Sequence, residues 1–436
     1  MATSSGTQGS ARVLAMALPL LFLHVDYQPS VSLGRVGIEL SDVALLAIIA
    51  AALATRRLAL LAPGRILYAL AAALLAWIAV TVGLADGVYD TGKHAVAAAG
   101  FAEYVLLALA VPPLLVGRER FRSFAWVLAV IAALAASVAA IQFVGVDIFG
   151  GAGAGRRQPS FVGFHDLAAL AGAALASGIA GLALGRLPTR LVTVSCAAGA
   201  VGLALSASVA GGAVLLAAAV LVGLVAARRR ELTVRRLGAI AAVVGVTLVA
   251  IVGVRGGDLS QFARFVGLLP EERTTVEDVQ TYSHRALLAY LGVQVFLDQP
   301  LAGAGWQATD EFATLGPHLP EARSEFPDLA GQAFPTPEQP YGVQNAWVQS
   351  LSDLGIVGFL LFAATLLVPV LVGARTALRA AEPLAALVGA AMLLVAAGVW
   401  TAQGLVAASP LQAVTFLAFG LVVVGLNENG ARGRTR

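Results

Sequence analysis

The chain has 436 residues, 59% of them hydrophobic and only 12% charged, and its mean hydropathy is +0.85. A soluble core of this length cannot hide so much apolar surface, so the composition excludes an ordinary water-soluble globular protein and predicts an all-α, polytopic membrane protein. The 28 Lys and Arg barely outnumber the 25 Asp and Glu, and no basic patch carries interleaved aromatics, which speaks against a nucleic-acid partner.

Apolar runs long enough to cross about 30 Å of hydrocarbon lie at 12–27, 40–55, 66–84, 95–116, 123–145, 165–184, 190–207, 209–227, 237–254, 345–372, 384–402 and 410–426. They predict about twelve transmembrane helices. Short cytoplasmic loops carry an excess of Lys and Arg, so the basic residues set the orientation. With the N-terminus inside, the cytoplasmic set is Arg12; Arg56, Arg57 and Arg65; Arg118, Arg120 and Arg122; Arg186 and Arg190; Arg228, Arg229, Arg230, Arg235 and Arg236; Arg375 and Arg379; and Arg432, Arg434 and Arg436. That is 19 of the 28 basic residues, leaving Arg35, Lys93, Arg156, Arg157, Arg255, Arg264, Arg273, Arg285 and Arg323 outside. The expected location is the cell (cytoplasmic or inner) membrane, with both termini cytoplasmic. The expected division is an N-terminal transmembrane bundle over 1–254, a large extracytoplasmic loop over 255–342 and C-terminal transmembrane helices over 343–436. The abundant glycine fits close packing of membrane helices. Cys196 is the single cysteine and falls inside a span, which leaves no internal disulfide and no Cys-based metal site. Met1–Ser10 lacks the charged region and cleavage site of a secretory signal, so the first helix is expected to remain as an anchor.

Within the large loop, 256–282 and 307–341 are rich in Pro, Gly and acids and read as loop with at most short helices. Between them, 283–299 sets Leu287, Leu288, Leu291, Val295 and Phe296 at helical spacing, which predicts an in-plane helix resting on the outer leaflet. Arg285 on that helix is expected to face the headgroup layer, where a guanidinium can grip a phosphate through two parallel hydrogen bonds. A turn follows, Pro300-Leu301-Ala302-Gly303-Ala304-Gly305. The next helix opens at Gln344, where Asn345, Gln349 and Ser352, with Asp353 beside them, make one stripe polar. Polar groups inside a membrane are costly and tend to face a cavity or a partner. Glu103, in the middle of an apolar span, is either paired or cavity-facing by the same argument.

The stretches SHRALLAYLGVQVFLDQPLAGAGW (Ser283 to Trp306) and GVQNAWVQSLSDLGIVGFLLF (Gly342 to Phe362) flank the loop, and RRQPSFVGFHDLAALAG (Arg156 to Gly172) precedes a central helix. This order resembles the O-antigen ligase and polysaccharide polymerase family of membrane glycosyltransferases. The resemblance implies a glycan carried on a polyprenyl pyrophosphate, transferred at the outer leaflet to the hydroxyl of an acceptor glycan or lipid. It also implies a basic residue ahead of a P-L-x-G-x-G turn that holds the pyrophosphate, here Arg285 with Gly303 and Gly305. Gln349 and Asp353 would line the substrate cavity.

Two positions depart from the family. Where it has His-Asn, with the histidine helping the acceptor hydroxyl attack, this chain has Gln344-Asn345, and glutamine accepts no proton at useful pH. Where it often carries Ser-Arg-Gly, this chain has Ser208, Val209 and Ala210, so that phosphate contact is missing. Arg156 or Arg157 could substitute as the phosphate ligand. All five histidines fall on the outer side, and His165, with Asp166 to orient its ring, is the best substitute base; the alternative is that the two form a polar helix start. No H-E-x-x-H, D-x-D or His/Cys cluster appears, so neither metal nor cofactor is expected. Other readings are a catalytically inactive protein of the same fold that binds a lipid-linked glycan, and a polysaccharide transporter or flippase, whose mark would be a broken helix or a charged pair at the midplane.

Overall fold

In the computed structural model, residues 12–33, 36–85, 89–255, 282–405 and 409–433 are described. The twelve predicted segments all form helices, and among the described residues nine are long and apolar enough to cross a membrane. These are α3 (Leu58–Leu84), α4 (Thr91–Leu115), α5 (Arg118–Phe143), α6 (Phe164–Leu184), α7 (Thr189–Ser206), α8 (Val209–Arg228), α9 (Val234–Val254), α11 (Ala346–Arg379) and α13 (Pro410–Gly433). Three are shorter, α1 (Arg12–Phe22), α2 (Leu40–Ala54) and α12 (Leu384–Val399). The first tightens to a 3-10 helix at Leu18–Phe22, where Pro19 sits, and so stops well short of the expected 12–27 span. Helix α10 (Tyr282–Asp298) lies in the large loop. The chain is thus an all-α polytopic membrane protein, with a small antiparallel hairpin, Ser30–Leu33 against Val36–Glu39, between α1 and α2.

Side-chain caps set several helix starts by satisfying orphan backbone N–H groups. Asp90 accepts from Gly92 N and Lys93 N at the head of α4, Ser208 from Gly211 N at α8, and Thr233 from Arg236 N at α9. Helices α6 and α12 form the centre of the bundle. All of α6 except Phe164, His165 and Leu182 is buried, and all of α12 except Leu394. Small residues allow this closeness: a Cβ on Gly199 of α7 would stand 2.6 Å from the carbonyl oxygen of Ala171 in α6.

Alternating helices send the connections to two opposite ends. At one end Arg186 bridges Glu231 (3.0 Å) and Glu382 (3.1 Å), and Arg229 donates to the carbonyls of Ala377 (2.8 Å) and Ala380 (2.9 Å). These contacts tie the α6–α7, α8–α9 and α11–α12 turns together. All of those arginines belong to the predicted cytoplasmic set. At the other end lie the 144–163 connection, the large loop and the 400–405 turn.

Helix α11, expected to be continuous, breaks at Gly355 (φ 65°, ψ −172°). A broken helix frees backbone groups that must find partners inside a membrane protein. The 300–305 turn supplies them. Ala304 N donates to Ser352 O (2.9 Å), Gly305 N to Asp353 O (2.9 Å), and Ile356 N to Pro300 O (2.8 Å). Trp77 Nε1 donates to Leu354 O at 2.9 Å. Gly303 sits at φ +72°, and a Cβ there would lie 2.5 Å from Asp353 O and Gly355 N. The approach of two backbones therefore requires glycine.

Helix α10 forms where expected, but its main apolar face is covered by protein rather than lipid. Leu287, Leu288, Leu291 and Val295 pack with Leu315, Leu319, Ala322 and Phe334 into a second small core built within the loop. Val293, Leu297 and Leu301 remain exposed as the apolar edge. The described part of the loop, 282–342, is thereby a folded unit with its own core, clamped to α11 by the 300–305 turn, while the stretch 256–281 expected as loop lies outside the described residues.

Gly303→Ala should destabilise the protein by about 2–4 kcal/mol, from overpacking plus a left-handed conformation. Thermal unfolding in detergent would show this as a clear fall in midpoint, and an unchanged midpoint would contradict the backbone pairing.

Candidate active site

The end of the bundle that carries the large loop also gathers basic residues from three separate elements. Arg157 comes from the 144–163 connection, which two buried glutamines fix in place. Gln142 binds Ile148 O (2.7 Å) and Ser160 N (2.8 Å), while the backbone of Gln158 donates to Leu205 O at the end of α7 (2.8 Å). The Arg157 guanidinium lies 4.7 Å from the centre of the Phe164 ring, a cation–π contact. Arg255 stands at the end of α9 and donates to the Tyr282 hydroxyl at 2.7 Å. Arg285, in the first turn of α10, donates to His165 Nε2 and to Ala402 O, each at 3.2 Å.

Arg285 is half-buried. Burial lowers its pKa from the ordinary value, and the positive charges of Arg157 and Arg255 lower it further, against a smaller opposing effect of Tyr282. The three guanidinium groups thus lie close enough for two of them to act on the ionisation of the third. Since arginine only donates, His165 Nε2 is the acceptor, which assigns the ring proton to Nδ1.

The turn between α12 and α13 is the floor of this site. Ala346 N, at the start of α11, donates to Trp400 O (2.9 Å) and Gln403 O (2.8 Å). Arg285 and the Gln344–Ala346 segment therefore hang from the same few residues. Gln349 Oε1 accepts from Leu405 N, and Gln307 Nε2 donates to Leu405 O at 3.1 Å.

The residues singled out in the sequence separate into two groups. Arg157, His165 and Arg285 are brought together, with Gln344 half-buried beside the shared turn. Arg156 is exposed, and only its carbonyl is engaged, by Gln158 Nε2 at 3.0 Å. Asn345 caps α11, its Oδ1 accepting from Trp347 N (3.0 Å) and Val348 N (3.2 Å). Gly303, Gly305, Gln349 and Asp353 belong to the clamp; Asp353 is fully buried and accepts from Thr309 N at 3.0 Å. Asp166 does not orient His165. It accepts from Leu411 N at 2.8 Å and so anchors the head of α13. Glu103 is exposed on α4. Sequence reasoning passed over Arg255, which ends an apolar run, and Trp400–Gly404, a polar interruption whose only mark is Thr401 and Gln403.

A second polar cluster flanks the clamp. His94 Nδ1 binds Trp306 O, Lys93 pairs with Glu311, and the His94 ring stacks on Tyr89 at 5.6 Å. Asp310 lies here, and its carboxyl is pushed up to about 6, by burial first and by Glu311, against Lys93 and His94. Among the described residues no group of three or more His, Cys, Asp and Glu is arranged to hold a metal ion.

Residues 194–363 match the model of the O-antigen ligase family. The chain carries an O-antigen ligase domain. This ligase domain places the protein in O-antigen or polysaccharide biosynthesis, as a multi-pass membrane protein. The match runs from within α7 to within α11, so it includes Arg255, Arg285, Gln344 and the clamp, while Arg157, His165 and the 400–405 turn are contributed from outside it. A search of curated proteins finds no match to the chain.

Asp310 provides a check on the clamp. A carboxyl whose folded-state pKa is raised binds its proton more tightly in the folded state, so its contribution to stability is present at low pH and lost as pH rises from about 4 to about 6. The midpoint of the wild type, measured against Asp310→Asn, should therefore fall across that window, with no further change above it. A pH-independent difference would remove Asp310 from the buried cluster.

Proposed function

We propose that this protein is a glycosyltransferase that moves a glycan from a polyprenyl-pyrophosphate donor to the hydroxyl of an acceptor glycan or lipid. The reaction takes place at the outer face of the cell (cytoplasmic or inner) membrane. The observation that carries this reading is the convergence of Arg157, Arg255 and Arg285 beside His165. In the reaction the acceptor oxygen bonds to the anomeric carbon, the bond from that carbon to the pyrophosphate oxygen breaks, and the pyrophosphate leaves with the electron pair. Guanidinium groups fixed in advance stabilise the charge that develops on the leaving group, which is where such sites gain most.

Arg285 is the gripping residue, because a fork of parallel N–H donors suits a phosphate better than a single ammonium. When it turns to the phosphate it gives up His165 Nε2, and that nitrogen is then free to take the proton from the acceptor hydroxyl. Gln344, which cannot act as a base, orients donor or acceptor by hydrogen bonds. The proposed layout has both termini cytoplasmic, a transmembrane bundle over 1–254, the extracytoplasmic loop over 255–342 and the C-terminal helices over 343–436.

One feature favours a second reading, a catalytically inactive protein that binds a lipid-linked glycan. It is Gln344 at the position where the family carries its histidine. The break in α11 does not favour a transporter, since the carbonyls of Ser352, Asp353 and Leu354 are bonded to Ala304, Gly305 and Trp77 and are not directed at an ion.

Purified protein with a polyprenyl-pyrophosphate glycan and candidate acceptors tests the proposal. Wild type should transfer. Arg285→Ala should lose about tenfold or more, from one charge-assisted contact of about 1.5–3 kcal/mol, and Arg285→Lys should recover part of it. His165→Ala should be severe and Gln344→Ala modest. Transfer by a Gln344→His variant alone would establish the inactive reading. For the orientation, a cysteine at the exposed position Gln332, in a background lacking Cys196, should react with an impermeant thiol reagent on intact cells. Labelling only after permeabilisation would invert the layout.

A further inference from the structure

At the end of the bundle opposite the candidate active site there is a cavity of about 290 Å³, lined by Arg118, Arg122, Arg186, Glu119 and a wall of Phe121, Leu187, Pro188 and Leu384. We infer that this cavity binds the phosphate headgroup of an anionic phospholipid from the leaflet on that side of the membrane. The volume is at the small end of ligand sites, about 300–1,000 Å³, and suits a headgroup rather than a whole lipid-linked glycan.

The charge arrangement follows from helix geometry. Arg118 and Arg122 are one turn apart at the start of α5 and so share a face, while Arg120, between them, points the other way and lines a separate small cleft with Leu14, Leu18 and Leu115. Arg118 and Arg122 are exposed. Arg186 is the fixed wall of the cavity, held by Glu231 at 3.0 Å and Glu382 at 3.1 Å, and so contributes shape more than unbalanced charge. Glu119 is exposed and offsets part of the positive charge.

Three helices also begin here. Arg118 is the first residue of α5, Pro188 precedes α7, and Leu384 is the first residue of α12, and none of the three starts carries a side-chain cap. Helix starts carry the positive ends of helix dipoles, which adds to the attraction for an anion, although the Glu428 carboxylate already accepts from the backbone of Gly117 at the start of α5. The apolar wall distinguishes the occupant. Leu187 and Pro188, half-buried over the buried Phe121 and Leu384, keep apolar surface that suits the glycerol and first methylenes of a lipid and that a free phosphate would leave uncovered. Basic pockets among membrane helices on the arginine-rich side are suited to anionic headgroups.

The test uses the full-length protein, purified in a mild detergent and assayed for lipid retention by native mass spectrometry and for thermal stability. Phosphatidylglycerol or cardiolipin should be retained and should raise the unfolding midpoint, and phosphatidylcholine should do neither. The double variant Arg118→Ala/Arg122→Ala should hold the anionic lipid about thirtyfold less well, from two interfacial arginines, while Arg120→Ala should match the wild type. None of the three side chains takes part in the ion pairs of Arg186, so both variants should fold, and the unfolding midpoint without added lipid, equal to that of the wild type, reports on that. Equal retention by the double variant and the wild type, equal retention of phosphatidylcholine, or equal stabilisation by inorganic phosphate alone would each overturn the assignment.

Discussion

The positions of Arg285 and of the Gln344–Asn345 helix start depend on the backbone pairing between the 300–305 turn and the interrupted helix α11. Inside a membrane protein a helix cannot break unless its freed carbonyls and amides are bonded elsewhere. The turn meets that demand by bonding with residues 352–356, and it does so only because Gly303 and Gly355 let the two backbones touch. This fixes α10 against α11. It thereby fixes Arg285, about four turns earlier on α10, against His165 and the 400–405 turn. The pattern of proline and glycines that seemed to belong to the substrate therefore belongs first to the frame that holds the substrate's ligands.

Electrostatics at the site follow from that frame. The donors arrive from a connection, a helix end and a helix start that are distant in sequence, and each is held by contacts of its own: Phe164 for Arg157, Tyr282 for Arg255, His165 and Ala402 for Arg285. In the proposed reaction the diphosphate of the donor meets guanidinium groups that are already in place. A site built so is organised before its substrate arrives, which lowers the reorganisation needed during reaction. The bond from Arg285 to His165 also keeps the imidazole lone pair occupied until the arginine has another partner.

Much of this was legible in the sequence, and the reasons are physical. Transmembrane spans are set by length and hydrophobicity, so all twelve segments could be placed as helices, although among the described residues nine rather than twelve are long enough to span, and the loop helix followed from the spacing of Leu287, Leu291 and Val295. What the sequence did not reveal was which surface would cover those leucines, because a lipid-facing and a protein-facing stripe have the same spacing. Arg285 and His165 were identifiable as polar groups beside apolar runs, but their 3.2 Å contact joins residues 120 positions apart. Asp166 could be read from the sequence either as orienting the His165 ring or as part of a polar helix start; it sits in the first turn of α6, and its carboxylate accepts from the amide of Leu411, 245 positions away. The break at Gly355 was hidden because glycine is common throughout these helices, and only the neighbouring turn shows which one interrupts.

The account's central claim is that the arginine cluster receives the diphosphate of the donor. The most direct measurement is a structure of the protein in a lipid nanodisc with a polyprenyl-pyrophosphate ligand bound. The account predicts phosphorus density within hydrogen-bonding reach of the Arg285 guanidinium, flanked by Arg255 and Arg157, with the Arg285–His165 contact broken. Diphosphate density elsewhere on the bundle, with that contact intact, would contradict it.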